Sequence, residues 1–188
     1  MHTIGILALQ GAFLEHGQML EGLGVEHFEI RQTSDLNRPM DGLILPGGES
    51  TAMGKLMECL GMLKPLKERI ADGLPVFGTC AGMILLAKDL GDEPRRFLQV
   101  MEIRVLRNAY GRQLGSFHTE AEFKDLGLVP MSFIRAPYVE SVSDGVEILS
   151  VVDDHIVGVR YGNQVAIAFH PELDSDRKIH QMFLDMIS

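Results

Sequence analysis

Val76-Phe77-Gly78-Thr79-Cys80-Ala81-Gly82-Met83-Ile84-Leu85-Leu86 holds an apolar strand, a Gly-x-Cys-x-Gly turn and an apolar helix in eleven consecutive residues. This order matches a nucleophile elbow with cysteine in the place of serine. A sharp strand-to-helix turn strains its central residue, and a glycine two positions to either side lets the strand and helix backbones approach closely. The turn also sets Cys80 at a helix N-terminus, where free N–H groups and the helix dipole favour thiolate over thiol. Cys80 is therefore expected to project from the turn as an exposed, activated nucleophile. Cys59, the other cysteine, has no such setting and reads as a small buried hydrophobe. Two cysteines in such different contexts give no support for a disulfide.

Outward from the elbow, the first half of the chain alternates strands and helices. Residues 4–9, 25–31, 42–45 and 75–79 read as short apolar strands, with helical spacing after the first, over 51–60 and 63–71, and from the elbow to residue 90. Strands joined through helices imply a parallel sheet with helices on both faces. From residue 100 the pattern changes. Residues 100–107, 131–135, 146–152, 156–160 and 165–169 read as strands with few helices between them, and 176–187 returns to helical spacing. The expected fold class is α/β, with a mostly parallel central sheet flanked by helices and an antiparallel extension, in one domain over residues 1–188.

Bulk properties narrow the function classes. A formal charge of −9 argues against a nucleic-acid binder, which needs Lys and Arg to neutralise phosphates. No apolar run approaches the roughly 20 residues of a membrane span, and no basic region precedes the first apolar stretch, so a cytoplasmic protein is expected. No cluster of His, Cys or carboxylates has metal-ligand spacing, so no metal site is expected.

Ala168-Phe169-His170-Pro171-Glu172-Leu173 ends an apolar strand on two functional groups separated by a proline. The residue before proline is pushed to extended backbone, and in an extended chain positions i and i+2 face the same side. Glu172 can then accept from His170 Nδ1–H and leave Nε2 for a nucleophile or leaving group. The remaining histidines, His2, His16, His27, His118, His155 and His180, lack such a partner and read as structural or solvated. Leu45-Pro46-Gly47-Gly48-Glu49-Ser50-Thr51 leaves a strand through paired glycines into a helix. Such a loop can aim Gly48 N–H at an oxyanion, with Ala81 N–H as second donor, or serve as a tight turn with a helix cap at Glu49 or Ser50. Arg107 and Arg135 each sit beside a chain-reversal signal, suited to a substrate carboxylate or to surface ion pairing.

Taken together, these segments resemble the class I (triad) glutamine amidotransferases, and within them the glutaminase subunits of two-subunit pyridoxal 5'-phosphate synthases. Ile4-Gly5-Ile6-Leu7-Ala8-Leu9-Gln10-Gly11-Ala12, the Gly47-Gly48-Glu49-Ser50 loop, Arg107-Asn108 with Gly111-Arg112-Gln113, and Phe133-Ile134-Arg135-Ala136-Pro137 join the elbow and His-Pro-Glu in carrying the resemblance nearly end to end. It implies a flavodoxin-like amidotransferase fold, a Cys80, His170 and Glu172 triad, and L-glutamine contacts at Gly47, Gly48, Glu49, Arg107, Ile134 and Arg135. It also implies no cofactor, and a hetero-oligomer with the synthase subunit, which receives the ammonia and sets the oxyanion loop. The sequence departs from the family pattern at Leu106, at Ala109-Tyr110 and at Val165-Ala166-Ile167-Ala168. Two other readings stay open: a glutaminase serving a different synthase, and a non-catalytic cysteine protein on a related fold, for which poised His170 and Glu172 would have no task.

Overall fold

The computed structural model describes residues 2–107 and 115–187. Its central strands are β1 (Thr3–Leu7), β3 (Gly42–Leu45) and β4 (Val76–Thr79), flanked by β2 (Glu26–Ile30) and by β12 (Gln164–Ile167) from the far end of the chain. All five run parallel in the order β2-β1-β3-β4-β12. Every residue of β3, β4 and β12 is buried, as strands covered on both faces require, whereas β2 at the edge alternates.

Helices lie on both faces. On one, α1 (Phe13–Gly22) and α5 (Lys178–Asp185) pack over Phe77, whose ring centroid lies 5.7 Å from that of His180 and 5.5 Å from that of Phe183. The neighbouring Gly78 faces the opposite way, toward α4 (Ala81–Leu86), which packs in turn on α2 (Ser50–Cys59). The third helix on the chain's first half, α3 (Leu63–Ala71), buries Leu66 and Ile70. Successive residues of β4 thus serve the two helical layers, as the period of two along a strand dictates.

Beyond β12 the sheet turns antiparallel through β11 (His155–Tyr161), β9 (Tyr138–Val142) and β6 (Met101–Leu106), with β10 (Val146–Val152) on β11. The expected antiparallel extension is present. Besides β9, which no expected strand covers, two features differ from the sequence reading. The helix after the elbow stops at Leu86 instead of continuing to residue 90, because Ala87–Asp89 forms a further strand, β5, parallel to β6. Leu85 and Leu86 carbonyls accept from Leu98 and Val100 N–H, so backbone groups that a longer helix would use are satisfied across the sheet. The strand expected at 131–135 is the end of β8 (Gly127–Ile134), which pairs with β7 (Ser116–Phe123) in a separate hairpin rather than extending the main sheet. No helix among the described residues is long and apolar enough to cross a membrane.

Candidate active site

β4 delivers Cys80 to its turn with φ 49° and ψ −102°, a left-handed conformation that a side chain normally avoids. Two things hold it there. Cys80 N–H donates to the Ile167 carbonyl at 2.8 Å, and α4 is pressed against the end of β3. A Cβ placed on Gly82 would lie 2.1 Å from the Leu45 carbonyl oxygen, and one on Gly78 would lie 2.8 Å from the Gly82 carbonyl carbon. The steric role read for these glycines is therefore present. The expected exposure of Cys80 is not: it is only 6% exposed and lies against a cavity of about 470 Å³. The strand ends around it, with the Ile134 carbonyl 3.9 Å from Sγ, close the turn in. Cys59 reverses its expectation too, being exposed at the last position of α2, and both thiols are free.

His170 faces the same cavity, and its Nδ1–H donates to Glu172 Oε1 at 2.7 Å. The pairing is as read from His-Pro-Glu, but its geometry differs: Pro171–Leu173 is a short 3-10 turn, so Glu172 folds back onto the ring instead of lying two residues along a pleated strand. Burial is the largest influence on the His170 imidazole and lowers its pKa. Pairing with the Cys80 side chain and with Glu172 outweighs it and carries the value up to about 10. Glu172 is also buried, which alone would raise its pKa, yet His16 and His170 together hold it below the ordinary carboxylate range. The site therefore pairs an imidazolium with a carboxylate at neutral pH.

Across the cavity the Gly47-Gly48 loop is fixed at both ends. The Gly47 carbonyl accepts from Ala12 N–H at 2.9 Å, and Glu49 N–H donates to Gln10 Oε1 at 2.7 Å. Because the peptide is planar and trans, Gly48 N–H points away from Ala12, and reorienting this peptide must break the Ala12 bond. Glu49 caps α2, accepting from Thr51 N–H at 3.2 Å and Ala52 N–H at 2.7 Å, so the helix-cap role also applies to this segment. Arg107 reaches Thr51 Oγ1 at 3.2 Å and lies 3.4 Å from Glu49 and 3.6 Å from Glu93. Ile134 and Arg135 line the same cavity, Arg135 with φ 45° and its N–H donating to the Gly115 carbonyl. Gly47, Gly48, Glu49, Arg107, Ile134 and Arg135 are thus gathered around Cys80 and His170. Ala81 is the first residue of α4, directly beside Cys80. Asn108, Gly111, Arg112 and Gln113, with the departures Ala109 and Tyr110, lie outside the described residues, whereas Leu106 ends β6. No group of three or more His, Cys, Asp or Glu among the described residues is placed to hold a metal.

Sequence reasoning missed four contributing residues. Gln10 anchors the loop. Ser132 accepts from His170 N–H through its carbonyl at 2.8 Å and donates from its hydroxyl to Asp174 at 3.0 Å, tying the β7–β8 hairpin to the His170 turn. Of the two alternatives read for His16 and His180, structural and solvated, the structure excludes the second: both are fully buried, and His16 Nε2 lies 3.5 Å from Glu172 Oε2. A signal was available for this pair. His16 follows Phe13 by three and precedes Leu20 by four, and His180 precedes Phe183 by three, so each sits on an apolar helical face.

The profile of the SNO glutamine amidotransferase family matches residues 6–188. The chain is 60% identical over 185 residues, 98% of its own length and 93% of the relative's, to the pyridoxal 5'-phosphate synthase subunit PdxT of Desulfitobacterium hafniense. It is 54% identical over 186 residues, covering 97% and 96%, to the protein of the same name from Streptococcus pneumoniae. A crystal structure of a glutamine amidotransferase superposes with a TM-score of 0.93 at 43% identity, over 98% of each chain. Another glutamine amidotransferase, from Thermotoga maritima, shares the fold at 18% identity and a TM-score of 0.61, over 90% of this chain and 75% of that one.

Proposed function

This chain belongs to the SNO glutamine amidotransferase family, and from that premise we propose that it hydrolyses L-glutamine to L-glutamate and ammonia for a pyridoxal 5'-phosphate synthase partner. The observation that carries the reaction is the juxtaposition, at one cavity, of Cys80 at a strained elbow with a His170 imidazole held by Glu172. Cys80 thiolate attacks the carboxamide carbon, and the oxyanion that forms is met by N–H groups of Gly48 and Ala81. His170, protonated at neutral pH by its pairing, gives its Nε2 proton to the departing nitrogen, which leaves as ammonia. A γ-glutamyl thioester remains on Cys80. Neutral His170 then takes a proton from water as the water attacks the thioester, glutamate leaves, and the thiolate returns with His170 protonated.

Glu172 orients the ring and stabilises its cation throughout. Arg107 and Arg135 supply the positive charge for the α-carboxylate, while Gly47, Glu49 and Ile134 shape the side-chain slot. The catalytic groups need no cofactor. An unpaired Cys80 nucleophile suits a reducing compartment, and we place the protein in the cytoplasm. The synthase subunit is the acceptor of ammonia, and its docking sets the Gly47-Gly48 peptide for catalysis. Glutamate release at saturating glutamine, measured on the isolated chain and with the synthase subunit, tests both parts. A rise of roughly 10²–10³ on adding the partner is the expected size for gaining one oxyanion donor. Equal turnover in the two would remove the partner's role on the loop, and no release in either would remove the glutaminase reading.

A further inference from the structure

Glu172 offers its second carboxylate oxygen to a buried group that the triad chemistry does not use. Oε1 is taken by His170, but Oε2 is buried and makes no hydrogen bond among the described residues. Facing it, 3.5 Å away, is Nε2 of His16 from α1, which is also 3.2 Å from Thr79 Oγ1 on β4. The other ring nitrogen of His16, Nδ1, lies 2.9 Å from Nε2 of His180 on α5, and Phe77 packs edge-on against both rings. Three elements far apart in the chain therefore meet behind the triad, at a point sealed from solvent.

Donor and acceptor counting assigns the protons. A neutral imidazole carries one N–H and one lone pair, and an ionised carboxylate only accepts. If His16 carries its proton on Nε2, that N–H can donate to the Thr79 hydroxyl oxygen at 3.2 Å with Glu172 Oε2 beside it at 3.5 Å, its Nδ1 accepts from His180 Nε2–H, and the bare nitrogen left over is His180 Nδ1, which has no partner among the described residues. If the protons are reversed, the lone pair on His16 Nε2 can accept from the Thr79 hydroxyl but still faces the carboxylate, and an orphaned N–H is buried at His180 Nδ1. The second arrangement incurs both a repulsion and an unsatisfied buried donor, the costlier kind of orphan.

Burial favours the neutral form of both rings. Burial is the largest influence on each and lowers their pKa values, that of His180 to about 3. The ionisable groups acting on His16 are Glu172 and Glu15, which raise its value, and His170, which lowers it further. Neutrality matters for the mechanism, because a cationic His16 would compete with His170 as the counter-ion of Glu172. A neutral N–H turned toward the carboxylate's second oxygen leaves its full charge to His170.

We propose that His16 is a positioning residue of the triad: its Nε2–H, with the tautomer set by His180, holds Glu172 ionised and turned so that the other oxygen stays on His170. This rests on the glutaminase reading for its kinetic consequence but not for its proton assignment.

Nitrogen-15 NMR of the histidine-labelled wild-type protein between pH 6 and 8 is expected to show His16 neutral and protonated at Nε2. Protonation at Nδ1, or a cation in that range, overturns the proposal whether or not any variant folds. In the complex with the synthase subunit, His16→Phe fills the space without a donor and is expected to lower kcat about 10–100-fold, the usual cost of losing an outer partner. Its KM for glutamine should stay within about twofold, and the acid limb of its pH–rate profile should move to higher pH, since Glu172 protonates more readily without its donor. His16→Gln, whose amide N–H reaches toward the same oxygen, should recover most of the rate. Equal loss in the two variants, or an unmoved acid limb, shows that the pair serves only packing. A wild-type complex that releases no glutamate refutes the glutaminase reading instead, and leaves the tautomer measurement to decide the proton assignment.

Discussion

Gly82→Ala joins the fold to the chemistry in one atom. The added methyl would stand 2.1 Å from the Leu45 carbonyl oxygen, 3.0 Å from its carbon and 3.1 Å from Leu45 Cβ. The nearest two are backbone atoms at the end of a fully buried strand, so no side chain can rotate away to make room. Reaching an ordinary contact of 3.4 Å requires α4 and β3 to part by 3.4 − 2.1 = 1.3 Å along that contact. Overpacking of this kind costs about 1–3 kcal/mol, which for a chain of this size lowers Tm by about 2–12 °C. The displaced helix begins at Ala81, so the Cys80 sulfur and the adjacent N–H move relative to His170 by a similar distance. A misplacement of about 1 Å costs on the order of 10² in rate. Thermal unfolding followed by circular dichroism and glutamate release in the synthase complex measure the two effects on the same preparation. A variant with both Tm within about 1 °C and turnover at the wild-type level would refute the reasoning, because the close approach of α4 to β3 would then not be what seats the nucleophile.

Gly47→Ala acts on the other partner. Its Cβ would lie 2.3 Å from His170 Cε1 and 2.8 Å from Nδ1, so the imidazole swings off Glu172, and steady-state kinetics should show kcat reduced at least about tenfold with little change in Tm; wild-type kcat would refute this placement. A glutamine-mimicking alkylator should label Cys80 in its cavity, with glutamine protecting, whereas a small general thiol reagent should label exposed Cys59 first; mass mapping that finds the glutamine mimic on Cys59 would sink the assignment. Glu172→Gln should lower turnover roughly 10²–10⁴-fold without unfolding the protein. It should also change the pH dependence of stability: His170 has its pKa raised from 6.5 to about 10, so the stabilisation from its proton is complete below the lower value and is lost as pH rises through the upper one. Wild-type Tm is therefore expected to fall across that window and the variant's to fall less; identical slopes would show that Glu172 does not hold the proton.

What was legible in the sequence was what neighbouring residues decide among themselves. The elbow, the four-residue strand Gly42–Leu45 and the helix Leu63–Ala71 declare themselves through apolar runs bounded by glycine, proline and caps, and the structure returns them within a residue or two. The His170–Glu172 pair belongs here as well, since the two groups are two positions apart and a proline limits how the chain can bend between them. Strand β5 is three residues long with Lys88 and Asp89 turned outward, and it exists only because β6 lies alongside. Hairpin strand β7 did carry an alternating signal at Phe117, Ala121 and Phe123, but the polar positions between them hid it.

Burial of the two cysteines failed for a related reason. Sequence context reports what a turn or helix does locally, while exposure depends on what packs over it: the Ile134 and His170 segments cover Cys80, and among the described residues no element packs over Cys59 enough to bury it. His16 and His180 set the limit of this kind of reading most clearly. Each helix announces, through its apolar face, that its histidine is buried, yet 164 positions separate the two rings. Their meeting is produced by the parallel order of β1, β4 and β12, which lays α1 and α5 over the same strand and brings the end of β12 down beside them. A buried histidine in this architecture must find a polar partner or a neutral state, and the topology leaves Glu172 as the carboxylate within reach. The local pattern thus states that there is a polar group to be satisfied, and only the fold states that satisfying it steadies the triad.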